Sequence, residues 1–351
     1  MKNELAARLQ RHPKRVVFPE GSDPRVLQVA RQFATMRLGI PILVGNRQYI
    51  KIIAARLSIR LEGIRIVEPE RSEDFDEYKR RFRGFVRAGM LECDKLDDAA
   101  IDNYVKTPSY FSAMMVLMGA ADAMVCGVSE SSASALRPVF QLFPRQEGVS
   151  TVSSMQIMDL SNMPLAESLG AQNIFLADCT VLQEPTAEQL ADIAVTTAIL
   201  RNHLTNERPK VAFLSYTTRS GGNENLEILK IREAVSRART KAKELGIEAD
   251  FDGDFQADVA LDHFAAASKN IESSVAGCAN VLVFPDLMSA KIASRFAQAI
   301  SGVPCYGQIM TGLKNPVAEI SRGASVQDIL GATIIVAAQA VDKKYLFPMG
   351  A

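Results

Sequence analysis

The order of patterns along this chain predicts an α/β architecture, with helices on both faces of a largely parallel sheet. Three observations carry that reading. Apolar runs of strand length, at 15–18, 210–214 and 281–284, alternate with helical stretches. Helix-opening signals follow strand positions: Asp23-Pro24 reads as an N-cap with proline at the first helical position, and Thr186-Ala187-Glu188-Gln189 as a capping box. Strand ends run into loops of glycine, serine and threonine, as at 127–134 and 215–222.

Taken in order, residues 15–18 form a buried strand, and a helix runs from Pro24 to about Met36. Strand 40–44, a helix from Arg47 to about Leu57 and strand 64–67 follow. A long charged helix covers roughly 72–89 and another 108–117, leading to strand 123–126. Past Gly148 come strand 173–177, a helix from Thr186 to about His203, strand 210–214, helix 223–245 and strand 248–251. Strand 281–284 precedes a helix around 289–301.

The chain has 351 residues, 48% of them apolar and 23% charged, enough for two α/β domains or one large one. Forty Lys and Arg balance forty Asp and Glu, so no net charge points to nucleic acid or an anionic membrane. Cys93, Cys126, Cys179, Cys278 and Cys305 are scattered, with no Cys-x-x-Cys spacing, which points to neither a zinc site nor a disulfide framework. The charged N-terminus lacks a signal-peptide core and no apolar run is long enough to span a bilayer, so a cytoplasmic location is expected.

Ser321-Arg322-Gly323 sets a hydroxyl and a guanidinium side by side before a glycine, and Asp328 follows at the start of an apolar helical pattern. These groups can hold a phosphoryl group and deprotonate a thiol. Other polar clusters fall after strands, where open α/β sheets bind ligands. They are 127–134 with Arg137 on the next helix, Asp178-Cys179-Thr180, 215–222 and 252–258. Each cluster alone also reads as an ordinary turn.

Several stretches go further when taken together and in order. They are Val17-Phe18-Pro19-Glu20-Gly21, 122–127, Gly148-Val149-Ser150, Ala177-Asp178-Cys179 and 185–190. They continue with Leu214-Ser215-Tyr216, 252–258, Ala279-Asn280-Val281, Phe284-Pro285-Asp286-Leu287, and Ser321-Arg322-Gly323 with Asp328. In this order the chain resembles the phosphate acetyltransferase (phosphotransacetylase) family along nearly its whole length. The resemblance implies reversible acetyl transfer between CoA and inorganic phosphate. It implies two α/β/α domains sharing a mixed sheet, like isocitrate and isopropylmalate dehydrogenases, with a cleft between them, and a homodimer. The C-terminal segment would return to the first domain, giving 1–147 with 315–351, and 148–314 as the second. CoA thioester and phosphate enter as small-molecule substrates; no cofactor, metal, nucleic acid or membrane partner is implied.

By residue, the resemblance makes Asp328 the base for the CoA thiol, although Ser325-Val326-Gln327-Asp328 also reads as a capping box. Ser321 and Arg322 would steady charge on the carbonyl oxygen. Arg137, in Leu136-Arg137-Pro138, would grip phosphate, and Arg87 is the match for a second family arginine or else a solvated helix-face residue. Ser131, Ser132, Thr218 and Gly323 complete the expected substrate contacts. None of His12, His203 and His263 lies in a matching stretch, so a histidine base is not expected.

Some positions depart from the family pattern. Glu130 stands where many members have histidine, and Leu182 where many have asparagine. Ala290-Lys291-Ile292, Gln308 and Ala318-Glu319-Ile320 also differ, which leaves acyl-chain preference open. Alternatives are an acetyl-CoA-binding regulatory protein without catalysis and a phosphate acyltransferase for propionyl or butyryl groups. A dehydrogenase is not expected, because no Gly-x-Gly-x-x-Gly turn is evident.

Overall fold

The computed structural model describes residues 1–87, 97–147, 149–219 and 225–341. Gly148, Cys93, the predicted helix end at 88–89, the helix start at 223–224, the loop residues 220–222 and segment 342–351 lie outside the described residues. The chain divides into two compact units. One is Met1–Pro144 together with the segment from Leu313; the other is Arg145–Gly312.

The first unit opens with α1 (Lys2–Arg11), β1 (Lys14–Phe18), α2 (Pro24–Thr35), β2 (Gly39–Val44), α3 (Arg47–Arg56) and β3 (Arg65–Val67). It continues with α4 (Phe75–Arg87), α5 (Asp98–Lys106), α6 (Pro108–Leu117), β4 (Ala123–Cys126) and α7 (Ser132–Leu142). In the second unit follow β5 (Ser153–Asp159), α8 (Leu165–Leu169), β6 (Asn173–Ala177), α9 (Ala187–Thr205), β7 (Lys210–Leu214) and α10 (Leu226–Glu244). Then come β8 (Asp250–Phe255), α11 (Ala257–Leu261), α12 (His263–Ser268), β9 (Val281–Val283), α13 (Leu287–Ser301) and β10 (Cys305–Thr311). The chain re-enters the first unit with β11 (Val317–Glu319) and α14 (Val326–Gln339).

In the first unit the strand order is β3-β2-β1-β4-β11, every pair parallel. The predicted caps are present: the Asp23 side chain accepts from Arg25 N with Pro24 at the first position, and Thr186 and Gln189 close a capping box on α9. Helix α14 is buried from Ile329 to Gln339 except at Leu330, and it packs on α1, α2, β1 and β4. A helix apolar on nearly every side belongs inside a core.

The second unit has the order β10-β5-β6-β9-β7-β8. Here β6, β9, β7 and β8 pair in parallel, while β5 runs antiparallel to both β6 and β10, so the sheet is mixed as the resemblance implies. The sequence of β5 hides this strand. Ser153, Ser154 and Gln156 are buried polar residues that break the apolar run, and Ser153 bonds Thr311 at 2.7 Å while Ser154 bonds Asp178. The stretch 252–258 is corrected. It was expected as a loop, yet β8 extends through Phe255. Buried Asp252 accepts from Arg219 at 2.7 Å, Arg239 at 3.0 Å and Ser273 at 2.5 Å, and Asp254 from Arg232 at 3.1 Å. Among the described residues no helix is long and apolar enough to cross a membrane.

Candidate active site

Strands β1, β4 and β11 are parallel neighbours, with Val17 and Val317 both in register with Met124. Their carboxyl ends therefore lie along one edge of the sheet, where ligands bind in this class of fold. Three loops leave that edge: 19–23 before α2, 127–131 before α7, and 320–325 before α14.

The loops touch through backbone. Ile320 N donates to Cys126 O at 2.7 Å. Gly127 has φ +91°, and a Cβ there would stand 2.8 Å from Ile320 O, so both its conformation and the space require glycine. Cys126 ends β4 fully buried, its thiol against Ala135 O and Ala318 O. Burial, with Glu20 and Glu319 nearby, pushes that thiol well above its ordinary range, so it is no nucleophile.

Arg25 is the tie among the three loops. Its guanidinium donates to Arg322 O at 2.6 Å, Ala324 O at 3.2 Å and Val128 O at 2.8 Å, while Asp23 pairs with it at 3.0 Å. Glu20 supplies a second tie, its Oε1 accepting from Gly127 N at 2.9 Å and Ser129 N at 3.3 Å. Its Oε2 is buried without a partner. Burial raises this carboxyl to about 7 against the pull of those two N–H groups, and Glu130 and Asp23 push it the same way. Buried Glu319 accepts from Ser132 Oγ at 2.7 Å, joining α7 to β11.

Most of the expected site residues of this unit fall on these loops and on the helices that follow them. Ser131 caps α7, its Oγ accepting from Ser134 N at 3.2 Å. Arg137 is exposed further along α7. Ser321 Oγ accepts from Gly323 N at 3.4 Å, and Arg322 is exposed beside it in sequence, with its own carbonyl fixed by Arg25. Asp328 is buried in the first turn of α14, where it forms the capping box that its spacing from Ser325 predicts. Its Oδ2 accepts from Ser325 N at 3.0 Å and Ser325 Oγ at 2.7 Å. The N-termini of α7 and α14, with their positive dipole ends, thus start from adjacent strands, a setting that favours an anion.

The other expected contacts sit elsewhere. Arg87 is exposed at the last position of α4. Thr218 belongs to the second unit, where its Oγ1 accepts from Gln256 N at 3.0 Å. Asp178, expected in a ligand loop, is a buried hub accepting from Ser154, Thr180 N, Val181 N and Leu182 N. Reading the sequence assigned no role to Glu20, Arg25 or Glu319. A signal for Arg25 existed, since an arginine in the first turn of a helix faces the positive end of the dipole and needs acceptors from elsewhere.

The profile of the phosphate acetyl/butaryl transferase family matches residues 1–337. The chain belongs to that family. A phosphate acetyltransferase from Acetivibrio thermocellus is 34% identical over 96% of this chain and 97% of its own length. One from Nitratidesulfovibrio vulgaris is also 34% identical over 97% of this chain, which spans 46% of that longer relative. A crystal structure of a phosphotransacetylase from Streptococcus pyogenes superposes with a TM-score of 0.82 at 34% identity, covering 97% of this chain and 98% of that one. Membership makes the chain a transferase, and it adopts the dehydrogenase-like α/β fold that phosphotransacetylases share.

Proposed function

We propose that this family member is a phosphate acetyltransferase, converting acetyl-CoA and inorganic phosphate to acetyl phosphate and CoA and running the reverse. What supports the reading is the pairing of β4 with β11. It sets the serine-rich start of α7 beside the Ser321-Arg322-Gly323 turn and the start of α14. An oxygen of phosphate attacks the acetyl carbonyl, the carbon–sulfur bond breaks, and the thiolate leaves and takes a proton. Arg137 and the α7 N-terminus with Ser131 and Ser132 hold the phosphate. Ser321 and Arg322 donate to the carbonyl oxygen as charge gathers there, an effect worth about 3 kcal/mol per donor in comparable sites. Gly323 leaves that turn open to substrate. Asp328 exchanges the proton with the CoA sulfur.

Arg87 and Thr218 are proposed as further substrate contacts. CoA and its thioester are substrates, and the reading calls for no resident cofactor. The working form is proposed to be a cytoplasmic homodimer. The test is release of CoA thiol from acetyl-CoA in phosphate buffer, with propionyl- and butyryl-CoA beside it. Phosphate-dependent turnover fastest with acetyl-CoA is expected. Binding of acetyl-CoA with no turnover would replace the enzyme by a regulatory binding protein, and faster butyryl transfer would correct the substrate.

A further inference from the structure

At the amino ends of β7 and β9 two nucleophilic side chains meet. Lys210 Nζ donates to Cys278 Sγ at 3.1 Å, and the thiol faces Ser274 O at 3.4 Å. Both side chains are half-buried. Among the described residues the Lys210 ammonium forms no ion pair with a carboxylate. The backbone braces the pair. Asn280 Oδ1 accepts from Lys210 N at 2.8 Å, Asn280 N donates to Lys210 O at 3.0 Å, and Asn280 Nδ2 donates to Arg208 O at 3.2 Å. One asparagine thus binds the start of β7 to the segment that carries Cys278. Cys278 N donates to Val275 O at 3.1 Å. Gly277 before it has φ +77°, and a Cβ there would stand 2.7 Å from His263 Cα. The other described cysteines differ. Cys126, Cys179 and Cys305 are buried, and burial pushes the first two thiols far up. Reactive cysteines are partly exposed beside a cation, whereas buried structural ones are inert.

We propose that Lys210 and Cys278 form a redox-reversible cross-link, with a hydroperoxide as the oxidant and a lysine–cysteine sulfenamide as the product. The inference is independent of the acyl-transfer chemistry. In the first step the Cys278 sulfur attacks an oxygen of hydrogen peroxide. The O–O bond breaks, the thiol proton joins the departing hydroxide as water, and a sulfenic acid remains. Lys210 Nζ, after giving one proton to solvent, then attacks that sulfur. The S–O bond breaks, the hydroxide leaves as water with a second proton from nitrogen, and an S–N bond joins the two residues. Sulfur has lost two electrons and the peroxide has gained them. Two thiols reverse the step, returning amine and cysteine and leaving as a disulfide. The long, flexible lysine stem closes the distance from contact to bond. Capture by nitrogen also keeps the sulfur from the sulfinic and sulfonic states, which thiols do not reverse. The pair is therefore a safeguard for the exposed thiol. Thr218 follows the carboxyl end of β7, so the cross-link forms at the opposite edge of the sheet.

The experiment treats the folded full chain with hydrogen peroxide, removes the peroxide, and maps tryptic peptides by mass spectrometry. The expected product joins Lys210 to Cys278 in a species two hydrogens lighter than the separate peptides together. Excess dithiothreitol is expected to restore both. Lys210→Arg keeps the cation but offers no amine nucleophile, and unchanged circular dichroism verifies that it is folded. In that variant dimedone is expected to trap Cys278 as the sulfenic acid, and sulfinic acid is expected to accumulate there roughly tenfold faster than in the native chain. The native chain unfolded in guanidinium chloride is expected to give no link, because the brace through Asn280 is gone. A folded native chain whose Cys278 becomes sulfinic acid, or stays a free thiol, without a bond to Lys210 would overturn the proposal. Linking as complete in denaturant as in the fold would also overturn it, since the geometry would have no part. Equal sulfinic acid in the native and Lys210→Arg chains would overturn it by a measurement that does not depend on detecting the link.

Discussion

Replacing Glu20 by Gln is expected to stabilise the protein at alkaline pH and to leave it nearly unchanged in acid. The carboxyl is held at about 7 in the fold against an ordinary 4.5, because burial outweighs the two N–H groups it accepts from. A raised carboxyl contributes stability that is full below about 4.5 and lost as pH rises through about 7. Each unit of displacement is about 1.4 kcal/mol, so the ionised state costs the native protein about 3 kcal/mol. Glutamine keeps an oxygen for Gly127 N and Ser129 N and never ionises. Its advantage over the native residue is therefore expected to grow by about 2 to 3 kcal/mol between roughly pH 5 and pH 8. Urea unfolding of both proteins at those two pH values measures it. Parallel stabilities across the range would mean that Glu20 is not held protonated, and would refute the argument from burial.

The remaining predictions concern the same edge of the sheet. Arg25→Lys keeps the charge but cannot reach three carbonyls at once, so kcat/KM for acetyl-CoA is expected to fall by roughly 100-fold, about 3 kcal/mol. A KM and kcat both within twofold would remove Arg25 from the loop-positioning role. Asp328→Asn is expected to cut turnover by orders of magnitude, while Ser325→Ala costs about 1 kcal/mol of stability with little effect on rate. Equal rate losses in the two would make Asp328 a helix cap and nothing more. Gly127→Ala is expected to destabilise by about 2 kcal/mol or more, through its positive φ and the approach of Ile320 O, with a lowered Tm as the readout. An unchanged Tm would show that the two loops are not in contact there.

The fold was legible wherever burial was purely apolar. Val16, Val17 and Phe18, or Val281 to Val283, have no alternative to an interior strand, and the caps at Asp23 and Thr186 are local chemistry. Strand β5 was not, because Ser153 and Ser154 are satisfied by partners on other strands and loops that no local pattern announces, and Gln156 is buried on the same strand. The same division runs through the site. Ser321, Arg322 and Asp328 stood out as a compact constellation, and the Ser325–Asp328 cap could be counted from spacing. Glu20 and Arg25 act on groups more than one hundred residues away, and Arg25 on groups nearly three hundred away. Only the register of β1, β4 and β11 brings those partners within reach.

The placement of β11 beside β4 also bears on how the protein is made. During synthesis β4 emerges with β1 on one side and a bare edge on the other, and its neighbour β11 is nearly two hundred residues away. The whole second unit, Arg145–Gly312, is translated in between. At ribosomal speeds on the order of ten residues per second, that edge stays unpaired for tens of seconds. An open edge is a template for another chain. Helix α14, which covers this part of the sheet, arrives last of all the described elements. A nascent or truncated chain ending before Val317 would therefore be both inactive and prone to pair with its neighbours on a polysome.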